Sequence, residues 1–246
     1  MKLMMNSSEQ VSCFHFSIVV PAHQEEGYIA KTIHTLEGLD YPREKLEVII
    51  IENGSLDRTP EIIRDASPQW FTILSSPEPG VSMAKNMGIA HLSSESDWVV
   101  FLDADVLLEK GYLLELDAFL HAHAGEGLGC GMVSLRPDPE TRTSRLWYRF
   151  YNFANHATHT TRSVQLIRRD LLQDIRFDES LTFDEDTFLL KQCKATSKYF
   201  YMNTRRVFAS TRRFESKGWV PQLLEWIYFA TRSYDRKKRI QYSVAR

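Results

Sequence analysis

Residues 46–63 read LEVIIIENGSLDRTPEII, and their order decides the fold. Leu46 to Ile51 form an almost continuous apolar run rich in β-branched residues, the composition of a strand buried on both faces. ENGSLDRT follows as a polar turn, and PEII opens a helix with Thr59 as its expected N-cap and Pro60 at its first position. The same order lies on the N-terminal side, where FHFSIVV (14–20) runs into Pro21, a polar turn and the helical stretch GYIAKTIHTLEGL. On the C-terminal side FTILSS (71–76) leads through Pro77, Pro79 and Gly80 into SMAKNMGIAHL, with Ser82 as the expected cap. DWVVFLDADV (97–106) reads as a fourth strand. Such alternation predicts an α/β fold, a mostly parallel doubly wound sheet with helices on both faces. Ligands of such sheets lie at the carboxyl ends of the strands, where each polar turn falls.

Composition narrows the class. A chain of 246 residues with 43% hydrophobic content buries one substantial core, and it reads as a single domain. It divides into a regular half over about 14–125, a less regular half over about 126–215, and a C-terminal helix with a basic tail over about 216–246. The second half contains a Gly-rich stretch, GEGLGCG, then the strand-like MVSLRP, the aromatic and polar segment WYRFYNFANHATHTTRS and a further strand, VQLIRR. A net charge of −2 gives no field to recruit nucleic acid. Cys13, Cys130 and Cys193 are far apart and have neither disulfide-framework nor zinc-site spacing. No stretch approaches the ~20 apolar residues of a membrane span, and MKLMMNSSEQ lacks an apolar signal core. A cytoplasmic protein is expected. GWVPQLLEWIYFATRS (218–233) followed by DRKKR has two readings, a peripheral contact with the inner face of a membrane or a packed helix with a solvated tail.

The chemistry-bearing residues stand at the strand ends. In FLDADV, Asp103 and Asp105 flank Ala104 directly after a buried run. Two hard oxygen donors there suit Mg²⁺ or Mn²⁺ shared with a diphosphate, although an acidic pair in that place also caps helices or faces solvent. Asp184, Glu185 and Asp186 crowd before an apolar helix in LTFDEDTFLL. They read either as partners of the helix dipole or as a cluster whose mutual repulsion raises one pKa.

Taken together the motifs resemble the family 2 glycosyltransferases, which have the GT-A fold. VVPAHQEEGYIAKTI resembles that family's opening, IIIENGSLDRTPEII its second loop, and PGVSMAKNMGIAHLSSESDWVVFLDADV its third loop and metal-binding acidic triplet. RFDESLTFDEDTFLLKQC resembles the segment ending in its Glu-Asp pair, so that the likeness covers about three quarters of the chain. The resemblance implies a metal-dependent, inverting, non-processive transfer of sugar from a UDP- or GDP-sugar to a carbohydrate or lipid-linked acceptor hydroxyl. Pro21, Ala22 and His23 then line the nucleoside pocket with Glu25 near the ribose, although His23 also reads as a surface histidine in a turn; Glu52 and Asn53 stand in the places of a frequent Asp-Asp pair, with Asn53 meeting the base edge. Lys85 approaches the donor phosphates or is a solvated helix lysine. Asp103 and Asp105, with Ala104 between them, hold Mg²⁺ or Mn²⁺ and donor. Asp186, assisted by Glu185, is the general base. The half after about residue 125 becomes an acceptor-side extension. Ser55, Asp57 and Thr59 read as turn and cap residues. Arg212 and Arg213 read as a clamp for an anionic group or as solvated charges.

The sequence departs from the family's pattern where some members carry a late histidine as a further metal ligand, since every histidine lies at or before His159 and the stretch here is VFASTRRFESKGW. It also has no QxxRW-type motif of processive synthases. Transfer to a lipid phosphate carrier and a catalytically silent scaffold that binds a partner are the competing functions. Nucleotidyl transfer is disfavoured because PAHQEEG has Gly27 alone where a Gly-rich phosphate loop is needed.

Overall fold

The computed structural model describes residues 13–160, 163–181 and 184–230; the basic tail DRKKR lies outside them. Strands β1 (Phe16–Ala22), β2 (Leu46–Asn53), β3 (Thr72–Ser76) and β4 (Trp98–Leu102) are parallel, and helices α1 (Ile29–Glu37), α2 (Thr59–Ala66) and α3 (Val81–Ala90) make the crossovers. Beyond them come β5 (Val106–Leu108), α4 (Tyr112–Ala122), β6 (Leu128–Val133), β7 (Arg136–Asp138), α5 (Arg142–Thr158) and β8 (Val164–Arg168). The described chain continues through α6 (Glu185–Thr196), β9 (Lys198–Met202), β10 (Val207–Ser210), α7 (Arg212–Lys217) and α8 (Trp219–Ala230). Seven strands form one sheet in the order β3-β2-β1-β4-β8-β6-β9, in which β8 alone runs against its neighbours. A small second sheet has the order β5-β10-β7.

The continuous apolar runs are explained by two cores, one on each face. Ile18, Val20, Ile50 and Val100 face one core with α1 and α4, whereas Val19, Ile49, Ile51, Val99 and Phe101 face the other with Ala84 of α3 and Leu189 of α6. Successive residues of a strand point to opposite faces, so a strand covered on both sides keeps no polar alternation. Close packing on the second face needs a small residue on α3. A Cβ on Gly88 would stand 2.4 Å from Cγ1 of Val19.

Several local expectations are corrected. DWVVFLDADV is two strands: β4 ends at Leu102, Asp103 to Asp105 turn, and β5 leaves for the second sheet. Thr59 is the first residue of α2, with Arg58 at the cap, because its hydroxyl accepts the amide N–H of Glu25 at 2.7 Å. Gly80 rather than Ser82 caps α3, and Ser82 is buried inside the helix. Leu128 to Gly131 of the Gly-rich stretch belong to β6, where Gly129 and Gly131 leave room for Ser197 and Phe200 on the adjoining segment. The aromatic segment 142–158 is a helix of 17 residues whose period is masked in the sequence because its outward side also carries Leu146, Phe150 and Phe153. No described helix is long and apolar enough to cross a membrane.

Candidate active site at the carboxyl end of the sheet

The carboxyl ends of β1, β2 and β4 deliver Ala22, Asn53 and Asp103 to one edge of the sheet, and the loops after them are laced together. Ser55 Oγ, Thr59 Oγ1 and Asp57 Oδ2 accept the successive backbone N–H groups of Gln24, Glu25 and Glu26 at 3.0, 2.7 and 3.3 Å. These three side chains therefore tie the loop after β2 to the loop after β1, and Asp57 Oδ1 also accepts the Thr59 N–H at 3.0 Å, as turn chemistry requires. Gly54 turns the chain at φ +70°, and a Cβ there would meet Pro79 N at 2.9 Å, so the loop after β2 and the start of α3 approach as only glycine allows.

His23 Nδ1 donates to the Asn53 carbonyl at 2.8 Å, tying the end of β1 to that of β2. The Asn53 side chain is 2% exposed, and with both its groups satisfied it donates to the Ala22 carbonyl at 2.7 Å and accepts from Gly80 N at 3.1 Å. Its amide thus braces the pocket floor. Glu52 Oε1 accepts from Ser55 N at 2.7 Å and its Oε2 from Ser75 Oγ at 3.1 Å.

Two ionic groups flank Asp103. In the first, Arg212 at the start of α7 donates from Nη2 to Glu25 and lies 3.2 Å from Asp105 Oδ2 through Nε. Its guanidinium also stacks over Tyr28, 4.4 Å from the ring centre. The arginine is 14% exposed, so the solvated alternative is set aside. Burial pushes the Glu25 carboxyl up to about 7 against the pull of Arg212. Burial likewise raises Asp105; Arg212 opposes the shift and the neighbouring Asp103 charge adds to it. Glu25 Oε2 is buried without a hydrogen-bond partner among the described residues. The turn itself is pinned from behind: Thr32 Oγ1 of α1 donates to the Ala104 carbonyl at 2.6 Å, and Ser210 N donates to the Asp105 carbonyl at 3.2 Å.

In the second group, Lys85 donates to Asp186 Oδ1 at 2.5 Å and to Glu185 Oε1 at 3.3 Å. Lys85 is 2% exposed and has the Phe177 ring 4.8 Å from Nζ, so it is not a solvated helix lysine. Although burial disfavours its charge, the carboxylates of Asp186, Glu185 and Asp103 hold its pKa above the usual lysine range. Asp186 is pushed up to about 7 by burial first and by the Glu185 charge second, with Lys85 pulling the other way. The expectation that repulsion raises one carboxyl is met at Asp186, with desolvation the larger cause. Asn86 fastens the segment beneath, since its amide both donates to and accepts from the Phe177 backbone at 3.0 Å.

Tyr28, Thr32 and Phe177 carry no legible signal, being helix and loop residues of ordinary type whose partners are distant in sequence. Among the described residues no three His, Cys, Asp or Glu side chains converge as a closed metal cage.

A parallel-dominated sheet with one antiparallel strand, and an acidic turn leaving its fourth strand for a small second sheet, defines the GT-A class of α/β fold. The chain belongs to the glycosyl transferase family 2, whose model matches residues 17–176. Among its relatives, the minor teichoic acid biosynthesis protein GgaA of Bacillus subtilis (strain 168) is 27% identical over 212 residues, 76% of this chain and 46% of GgaA. The poly(ribitol-phosphate) β-N-acetylglucosaminyltransferase TarS of Staphylococcus aureus (strain MW2) is 24% identical over 204 residues, 80% of this chain and 36% of TarS. The chain thus spans less than half the length of these curated relatives. The structure of S. aureus TarS 1–349 with UDP-GlcNAc superposes with a TM-score of 0.63 at 19% identity, covering 81% of this chain and 59% of that one. The mannosyltransferase PcManGT of Pyrobaculum calidifontis, in complex with GDP-Man and Mn²⁺, superposes with a TM-score of 0.61 at 18% identity, covering 91% of this chain and 68% of that one.

Proposed function

We propose that this chain transfers a sugar from a nucleotide-diphosphate sugar, UDP or GDP, to an acceptor hydroxyl with inversion and one sugar at a time. The observation that carries the reading is the paired arrangement at the sheet edge, with Asp103 lying electrostatically between the Glu25–Arg212–Asp105 group and the Lys85–Glu185–Asp186 group. One group suits the charge of a diphosphate and its cation, the other suits proton removal.

Asp103 and Asp105 would hold a divalent cation, Mg²⁺ or Mn²⁺. The fit rests on the donor set: Asp103 and Asp105 stand one residue apart in the turn after β4, and the nearby Glu25 keeps Oε2 buried without a hydrogen-bond partner among the described residues. Bound there, the cation would neutralise charge on the leaving diphosphate. With only two aspartates and no closed cage among the described residues, the remaining ligands come from donor oxygens and water. Residues 21–25 and 52–53 form the nucleoside side, with Asn53 acting through the backbone it braces. Asp186 takes the proton from the acceptor hydroxyl as that oxygen attacks the anomeric carbon opposite the leaving group. Lys85 positions the Asp186 carboxylate through its hydrogen bond to Oδ1.

Thermal unfolding with a panel of UDP- and GDP-sugars, each with Mn²⁺ or Mg²⁺, tests the reading. A ligand at a hundred times its Kd adds about 2.7 kcal/mol, which for a domain of this size raises Tm by roughly 5–10 °C. Asp105→Ala abolishes the metal-dependent part of the shift. No shift with any donor and either metal rejects the proposal.

A further inference from the structure

Helix α5 carries apolar residues on the side that faces away from the protein. Its inner side is fixed by Ser144, Tyr148 and Asn155, which are buried, while Leu146, Phe150 and Phe153 are 70%, 51% and 70% exposed. At 3.6 residues per turn these three side chains fall within roughly 60° of one another. Arg142, Arg145 and Arg149 are exposed along one flank of that ridge, and α5 contains no acidic residue. Glu140, which precedes the helix, is held by Arg136 at 2.7 Å. On the other flank Trp147 lies 6.1 Å from Phe150 and 5.6 Å from Trp219, which begins α8. There Val220, Leu224 and Tyr228 are 61%, 60% and 54% exposed, with the spacing of one helix face. The single acid of α8, Glu225, is paired with Lys217 at 3.0 Å.

We propose that the outer faces of α5 and α8 form a docking surface for an anionic lipid bilayer, with Leu146, Phe150 and Phe153 entering the headgroup boundary and Arg142, Arg145 and Arg149 meeting lipid phosphates. The charge pattern selects this occupant. A cationic flank beside an aromatic ridge complements an anionic interface, whereas two copies meeting face to face would bring like charges together. An apolar surface of this kind is costly to leave in water. The inner side of α5 reaches the catalytic edge, because Tyr148 Oη donates to the carbonyls of Ala209 and Ser210 at 3.3 Å, just before Arg212. Docking would therefore hold the site about one helix diameter, roughly 10 Å, from the membrane surface. The surface stands whether or not the proposed transfer does, and its test reads binding rather than turnover.

The full chain is sedimented with vesicles of phosphatidylcholine alone and of phosphatidylcholine with phosphatidylglycerol, at low and moderate salt. Binding to the anionic vesicles, weakened by salt and absent from the neutral ones, is expected. Phe150→Ser with Phe153→Ser lowers the partition on the order of 100-fold, and Arg145→Gln with Arg149→Gln lowers it roughly 30-fold and blunts the salt effect. All four positions are exposed, so the variants keep the unfolding midpoint of the parent. The proposal is overturned if the parent ignores anionic vesicles, or if both variants bind like the parent, which would move the contact to the tail beyond α8. A concentration-dependent dimer in sedimentation equilibrium, abolished by the phenylalanine variant while vesicle binding persists, also overturns it and assigns the ridge to a second copy.

Discussion

Asp186 shows what one residue's surroundings do to its chemistry. An exposed aspartate is ionised and a poor proton acceptor at neutral pH; here burial and Glu185 bring the carboxyl to about 7, near the operating range of a general base. A base must be deprotonated to work, so kcat/KM rises with pH through a midpoint near 7. Asp186→Asn lowers the rate by roughly 10²–10⁴-fold while donor binding remains. A parent profile flat between pH 6 and 8, or loss of donor binding in the variant, would contradict the role. The carboxylates themselves were legible in the sequence, because an acidic pair after a buried strand and another at a helix start are local patterns. Their partners were not. Arg212 and Glu25 are 187 positions apart, and no local spacing links an arginine after β10 to a loop after β1.

At the scale of elements, the site depends on how closely α3 lies on the sheet, since α3 carries Lys85 on the helix that also presents Gly88 to Val19. Gly88→Ala gains up to about 1 kcal/mol of helix propensity, but its Cβ would meet Val19 Cγ1 at 2.4 Å, and such overpacking costs about 1–3 kcal/mol. A net loss of about 1–2 kcal/mol is expected from urea unfolding. Gly125→Ala, with nothing within 4 Å of the new Cβ, serves as the control and stays within about 0.5 kcal/mol. An equal effect of the two would show that α3 can shift. Elements were readable where burial alternated with polar turns, as in β1, β2 and their helices. They were misread where tertiary demands replaced the pattern: β5 parts from β4 because Asp103 to Asp105 must turn, and α5 hides its period because both of its sides carry aromatic residues.

For the whole molecule, the raised carboxyl is also a property of stability. Between its ordinary pKa near 4 and its folded value near 7, Asp186 binds a proton in the folded chain and not in the unfolded one, so its contribution is complete below about pH 4 and is lost as pH rises through 7. The donor-free parent therefore loses stability between pH 6 and 8 more steeply than Asp186→Asn, measured by denaturant unfolding at each pH. Parallel slopes would remove Asp186 from the balance. Sequence alone determined the α/β class, the parallel half of the sheet and the acidic residues at its edge, because strand burial, helix starts and turn chemistry are written in neighbouring residues. Tertiary structure alone decided that β8 enters the sheet antiparallel, that Asn53 braces backbone, that Lys85 is buried against Asp186 and that Arg212 closes on Glu25 and Asp105. Those outcomes depend on which distant groups are desolvated together, and desolvation is a property of the assembled fold rather than of any stretch of chain.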